Sequence, residues 1–486
     1  MYKTMKKNHV LDLDALTIAA AIRKGDITSS DTVKAYISHL QAINNDLNCL
    51  VEDRYEEALK EAEQADRSVK NGKSSGSLFG VPISMKESFH VKGMRTTGGL
   101  PHRKDIVEAE DADIVARLKS EGAIILGKSN TPTLCFCQET ENKLYGRTNN
   151  PWNVERTAGG SSGGEGVLIA AGGAAAGIGS DIGGSIRFPS HFNGVIGFKS
   201  GNGQVSDKGS FPPVAHPLQK RMLGMGPMAK SISDAQSIYN IIANTPANPV
   251  ELDSMAITFL PKTGHPLSQE TTDMLVHLKR ELASSFSVKE DVPPGFEECS
   301  LLWQEIMSID GARSTAEAAS KIKGKPIKAY REYFREKITG KSDVHPYLSW
   351  ALIGAGLFRP NSKRIAAIET IIQEGDRRLD DYLRNRVLIF PVYYRSAPRH
   401  GELYAELFSI KKTFLRYMPF TAYANVWGLP SLTMPAGLDH EGMPIGIQLI
   451  AKAGNEEALF RIGSHIEEIT GGYSRCKAFD RDGRQG

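Results

Sequence analysis

Between Thr157 and Lys199 the chain reads TAGGSSGGEGVLIAAGGAAAGIGSDIGGSIRFPSHFNGVIGFK, and eleven glycines fall between Gly159 and Gly184. A flexible linker would lack apolar patterning, whereas here VLIAA reads as a small-residue helix and AAAGIG as a buried strand in close contact with it. Glycine at this density serves close backbone approach and unusual dihedral angles. The tract therefore predicts a tightly packed centre, and the remaining segments must be arranged around it.

A second stretch, Gly122-Ala-Ile-Ile-Leu-Gly-Lys-Ser129, satisfies G-x-x-x-x-G-K-[ST], the pattern of a phosphate-binding loop. In such a loop a strand comes first, and the variable residues expose N–H groups at the start of a helix. Here the order is reversed. DADIVARLKSEG reads as a helix closed by Gly122, Ala-Ile-Ile-Leu as an apolar strand, and Asn130-Thr-Pro132 as a turn. The nucleotide-hydrolase reading is set aside, and Lys128 becomes a strand-end residue.

Elsewhere the pattern from Leu11 to Val69 is helical, with Ser29 or Ser30 as a cap. GVPISMKESF is a short apolar strand that carries Lys86. From about Glu251 to Arg386 the chain is helix-rich and charged. VLIFPVYY and FTAYANVWGLPSLTMPAGL read as returning strands and loops, and NEEALFRIGSHIEEIT as an amphipathic helix capped by Gly471. A buried sheet, interrupted by a variable helical region and completed by C-terminal strands, is the simplest arrangement.

The length of 486 residues allows either two or three domains or one large sheet-based domain with an elaborated periphery. A formal charge of +3 is too small to imply nucleic acid. Five cysteines without repeated spacing argue against a disulfide framework and against a zinc site, and fit a reducing cytoplasm. The first 25 residues start basic, but Asp12 and Asp14 interrupt any apolar signal core, so they read as an amphipathic helix. The uncharged run Gly166 to Ser180 is shorter than a bilayer span of roughly 20 residues, and no transmembrane segment is expected.

Ser161 lies within G-x-S-x-G, the nucleophile elbow pattern, yet NNPWNVERTAGG before it is polar and does not read as the strand an elbow requires. His400 and His440 would be its downstream histidine candidates. The other arrangement uses two serines and a lysine. Ile182, Gly183 and Gly184 ahead of Ser185 can present successive N–H groups to one point, which suits an oxyanion and places Ser185 as nucleophile. Lys86 could accept a proton only when neutral. From a reference pKa of about 10.4, half-neutrality near pH 8 needs about 3 kcal/mol of destabilisation, within what burial between Ile83 and Met85 can supply. Taken singly, a strand lysine reads as a solvated edge charge and each serine as a turn former.

Together GGSSGG at 159–164, SDIGGSIRFPS at 180–190 and GVPISMKE at 80–87 resemble the amidase signature family of serine hydrolases. GAIILGKSNTP, ENKLYGRTNNPWN, MLGMGPMAKSISDA and ANVWGLPSLTMPAGL extend the resemblance over nearly the whole chain, closest to the fatty-acid-amide-hydrolase-like branch and related bacterial amidases. It implies an α/β fold with a central twisted mixed sheet covered by helices on both faces. The chain would be a single domain over 1–486: N-terminal helices at 11–75, a catalytic core at 76–245, a variable helical substrate region at 250–386, and C-terminal completion of the core at 387–486. Carried over, the resemblance makes Ser185 the acylated nucleophile, Ser161 a proton relay after a cis peptide at Gly160, and Lys86 the base. Ile182, Gly183, Gly184 and Ser185 would form the oxyanion hole, supported by Ser162, Asp181 and Arg187. Ala158 stands where the family often has Pro, and Ser200-Gly201 where Pro-Thr is common.

The expected activity is hydrolysis of a small-molecule carboxylic amide with an apolar acyl or aryl group, through an acyl-enzyme and without metal or cofactor. The alternative is the glutaminase (A-type) subunit of a tRNA-dependent amidotransferase, whose arginine-rich RRI-x-LG-TY stretch is missing from RPNSKRIAAIETIIQEGDRRLDDYLRN. The sequence leaves room for a homodimer. Tyr330, Tyr333, Phe334, Trp350, Leu352 and Phe358 are candidates to line or cover an apolar pocket, with ordinary core as the competing role. The basic stretch Lys321 to Lys341 is either a face that touches a membrane surface or, as charge runs mostly are, a solvated one. Cys135 and Cys137, just after the Asn130-Thr-Pro132 turn, either approach the site or are buried inert thiols.

Overall fold

The computed structural model describes residues 10–480 apart from 262–263 and 409–413. The basic first nine residues, part of the expected N-terminal helix, lie outside the described residues, and the helix that follows them spans Ala15–Lys24.

The strands in chain order are β1 (Leu50–Asp53), β2 (Pro82–Lys86), β3 (Ile124–Ser129), β4 (Glu141–Asn142), β5 (Gly146–Arg147), β6 (Ala176–Asp181), β7 (Ile196–Lys199), β8 (Gly224–Ala229), β9 (Ala256–Phe259), β10 (Ser287–Glu290), β11 (Arg386–Pro391), β12 (Ser431–Leu438) and β13 (Pro444–Ile450). All but the β4–β5 hairpin join one sheet of eleven strands, ordered β1-β3-β2-β6-β8-β7-β12-β13-β11-β9-β10. Pairing is parallel for β3-β2-β6 and for β11-β9-β10, and antiparallel between those two groups, so the sheet is mixed. Every residue of β2, β3, β7, β8 and β13 is buried. Such uniformly buried strands require cover on both faces, which the helices provide.

The glycine-rich tract forms the helix Gly163–Ala171 and strand β6 at the middle of this sheet. Close approach explains the composition. A Cβ on Gly177 would come within 1.9 Å of the Glu165 carboxylate, and one on Gly164 within 2.5 Å of the Asn130 backbone. The false phosphate loop is strand β3. Lys128 is fully buried there, its Nζ donating to the Arg95 carbonyl and to Thr96 Oγ1, and burial lowers its pKa to about 8.

Four sequence expectations need correction. The helix Ser29–Leu47 is capped one residue earlier, by Thr28, whose side chain accepts from Asp31 N. Residues Leu50–Asp53, read as helical, form the edge strand β1, because their backbone pairs with β3 despite two acidic side chains. The helix-rich region also contributes β9 and β10, four-residue strands that extend the sheet between long helices. FTAYANV, read as strand or loop, belongs to the helix Phe414–Val426, which tolerates Pro419; its packing against the helix Cys299–Met307 overrides local preference.

Candidate active site

Lys86 ends β2, and its side chain emerges in a region from which solvent is excluded. Its Nζ donates to Ser161 Oγ at 2.7 Å and to Ser180 Oγ at 3.0 Å. Burial lowers the Lys86 pKa below the ordinary lysine range, opposed by the nearby Cys135, Asp181 and Glu165. Ser161 follows a cis Gly160–Ser161 peptide, and its carbonyl accepts from Thr131 Oγ1 at 3.0 Å. Ser162 N donates to the Ser185 carbonyl at 3.1 Å, which ties the first serine segment to the second. Ser185 is 6% exposed, and Ser161, Ser180 and Ser185 line one cavity. Lys86, Ser161 and Ser185 are thus brought together from segments 24 to 99 residues apart in the chain.

The loop between β6 and the helix Arg187–Asn193 wraps around one carboxylate. Asp181 Oδ1 accepts from Gly184 N at 2.8 Å, Oδ2 from Ile186 N at 3.1 Å, and Arg187 meets both oxygens at 2.9 and 3.0 Å. Burial alone would raise the Asp181 pKa, but the guanidinium wins and holds it well below the usual carboxylate range. Arg187 reaches on to the Thr421 carbonyl and to Gln448 and Asn425. Gly184 has φ of +94°, and a Cβ there would strike Phe188 at 2.5 Å, so only glycine closes this turn. The Gly184 N–H is already taken by Asp181. Of the four expected loop donors, that of Gly184 is therefore engaged within the loop itself.

Trp303 pins the same loop from outside, its Nε1 donating to the Ile182 carbonyl at 2.7 Å, and a Cβ on Gly183 would lie 2.6 Å from its ring. Sequence reading did not single out Trp303, Ser180 or Thr131. Nothing local marks Trp303, which lies more than a hundred residues away in a helical segment, whereas the Ser180-Asp181 pair inside the glycine tract was a visible signal.

A cavity of about 200 Å³ opens from Ser185 and Ile182, walled by Phe136, Trp303, Met307, Tyr347, Trp350 and Phe358. Of the six pocket candidates only Trp350 and Phe358 line it. Leu352 is buried in a separate cluster with Leu348 and Leu100, Tyr333 packs against Trp350 at 5.4 Å between ring centroids, and Tyr330 and Phe334 are each 59% exposed. The helix Ala329–Thr339 within the basic stretch buries no residue completely, but its charges are not all solvated: Glu336 pairs with Lys143, and Glu332 accepts from Ser342 Oγ. Cys135 and Cys137 both line the cavity, and burial raises the Cys137 thiol well above its ordinary range.

Among the described residues, no histidine lines either cavity. His400 Nε2 lies 2.9 Å from the Val154 carbonyl, and His440 pairs with Glu270 at the surface. An elbow-type Ser161–His pair is therefore not assembled. Among the described residues no group of three or more His, Cys, Asp or Glu side chains could hold a metal ion, and no helix is long and apolar enough to cross a membrane.

The family model Amidase matches residues 31–460. The chain belongs to the amidase signature family. This amidase is 34% identical to "Fatty-acid amide hydrolase 2-B" of Danio rerio over 496 aligned positions, covering 96% of this chain and 91% of that protein. It is 29% identical to the A-type subunit of the glutamyl-tRNA(Gln) amidotransferase of Lachnospira eligens, with 95% and 99% covered. Among solved structures, that of 6-aminohexanoate cyclic dimer hydrolase complexed with substrate superposes with a TM-score of 0.81 at 25% identity, covering 97% of this chain and 100% of that one. The amidase is accordingly a hydrolase acting on C–N amide bonds.

Proposed function

We propose that this amidase cleaves amides of apolar acyl or aryl acids through an acyl-enzyme on Ser185. The observation that carries the reading is the buried 2.7 Å contact between Lys86 Nζ and Ser161 Oγ at the wall of the cavity that Ser185 lines. Neutral Lys86 takes the Ser161 proton as Ser161 takes that of Ser185, whose Oγ bonds to the amide carbon. The oxygen that gains charge faces the amides of Ile182, Gly183 and Ser185. Collapse breaks the C–N bond, and the proton held on Lys86 returns through Ser161 to the leaving nitrogen. Water, deprotonated by the same route, then attacks the ester and frees the acid and Ser185.

The substrate class follows from the lining. Among the described residues walling the two cavities, which share Ile182, Ser185 and Met307, none is Asp, Glu, Lys or Arg, and two tryptophans and Met307 face the space beside Ser185. Free glutamine carries an ammonium and a carboxylate that such a wall cannot pair. This ranks the A-type glutaminase reading second, despite the amidotransferase relative.

The test is intact-mass measurement after exposure to a fluorophosphonate. One adduct on the wild type, none on Ser185→Ala and slow labelling of Lys86→Ala are expected. Labelling that survives in Ser185→Ala overturns the nucleophile assignment.

A further inference from the structure

Glu165 is wholly buried in the first turn of the helix Gly163–Ala171, four residues after Ser161. Its Oε2 accepts from Ser84 Oγ at 2.5 Å, while its Oε1 has no hydrogen-bond partner among the described residues. Ser84 and Lys86 alternate along β2, so their side chains leave the strand on one face. Ser129, which pairs with Lys86 across the sheet, also faces the Glu165 carboxyl. Gly177 on β6 leaves the space the carboxylate fills. A carboxyl is therefore packed beneath the strand end that holds Lys86, in a region without solvent.

We propose that Glu165 is a positioning residue that governs how readily Lys86 gives up its proton, acting through its charge and through the Ser84 hydroxyl it holds. The inference rests on Lys86 being the base. A buried carboxylate near a buried amine favours the ammonium, and little water screens the pair; Glu165 acts on Lys86 in this sense, after Cys135 and Asp181. Burial pushes the Glu165 carboxyl up to about 7, while Ser84, Ser129 and Lys86 pull it down.

The surroundings leave Lys86 as the main charge it can act on. Cys49 next to β1 senses Glu165, but burial holds that thiol protonated, with a pKa near 12. Asp181 on β6 acts on Lys86 but is committed to Arg187, and Cys135 is the remaining group facing Lys86. From the helix Arg187–Asn193, His191 faces the Gly446 and Arg395 carbonyls, and β8 carries no titratable side chain.

The experiment is the rate of fluorophosphonate labelling against pH for wild type, Glu165→Gln, Ser84→Ala and Ser185→Ala, with circular dichroism to verify folding. Glu165→Gln should move the midpoint of the rising limb down by about one pH unit, so that below the midpoint it labels about tenfold faster relative to its own plateau. Ser84→Ala, which removes the hydrogen bond favouring ionised Glu165, should move it the same way by less. Lower plateaus with an unmoved midpoint would mean a structural role and overturn the inference; if Glu165→Gln does not fold, the Ser84→Ala midpoint decides alone. A wild-type rate that does not rise with pH, or labelling of Ser185→Ala, would overturn the Lys86 reading itself and this inference with it.

Discussion

Asp181 and Arg187 are both fully buried, and the guanidinium of one meets the two carboxylate oxygens of the other at 2.9 and 3.0 Å. Because Asp181 also accepts from Gly184 N and Ile186 N, this pair fixes the loop that presents Ser185. Arg187→Ala would leave a buried carboxylate without compensation, at a cost of about 3–5 kcal/mol. Chemical denaturation should show that loss, and Arg187→Lys should recover little of it, since a point charge cannot reproduce the two-pronged geometry.

The same pair sets an acid limit. The folded Asp181 pKa is depressed, so its contribution is fully present above an unfolded carboxylate's pKa of about 4 and is lost as pH falls through the lower folded value. Thermal midpoints measured downward from pH 5 should therefore fall less steeply in Asp181→Asn than in wild type, although the variant starts lower.

Lys86 should trade stability for activity. Its folded pKa is lowered, so at neutral pH the fold must hold a group whose charged form burial disfavours, a cost that vanishes only above the unfolded lysine pKa of about 10.4. Lys86→Met, similar in length and uncharged, should raise the thermal midpoint near pH 7 while lowering kcat by about 1000-fold or more. Reduced stability together with lost activity would show that the ammonium's contacts to Ser161 and Ser180 outweigh its burial.

Trp303 should act on rate as well as on binding. Trp303→Phe keeps most of the ring surface but removes the 2.7 Å bond to the Ile182 carbonyl, freeing a peptide next to the proposed oxyanion donors. A fall in kcat of about tenfold with little change in KM is expected, since the lost interaction orients donors used mainly in the transition state. Steady-state kinetics on one apolar amide would separate this from a packing defect, which raises KM.

Much of the centre was legible because its constraints are local. GGSSGG and SDIGGSIR place hydroxyls, glycines and an Asp–Arg pair within one tract, and an apolar strand around Lys86 signals a desolvated amine. What escaped depends on tertiary partners. β1 ends in Glu52-Asp53 and is a strand only because β3 lies beside it. β9 and β10 are four-residue strands hidden between long helices. Trp303 and Met307 become cavity walls only when their helix docks over Ser185, while Tyr330 and Phe334, equally aromatic in the sequence, face solvent.

That last contrast makes the pocket testable. Trp350 lines the cavity beside Ser185, whereas Tyr330 and Phe334 are more than half exposed on the neighbouring helix. Burying a large apolar side chain is worth about 1.5–3 kcal/mol, so withdrawing the Trp350 surface from a bound acyl group should cost about 10- to 100-fold in kcat/KM. The loss should fall on long-chain and aryl amides and spare acetamide, whose acyl group is too short to gain much from that wall. Tyr330→Ala and Phe334→Ala should leave the preference for acyl length unchanged. A Trp350→Ala variant with the wild-type preference would show that the acyl group leaves Ser185 in another direction, and the second cavity, bounded by Phe211, Leu223 and Met225, would then be its place.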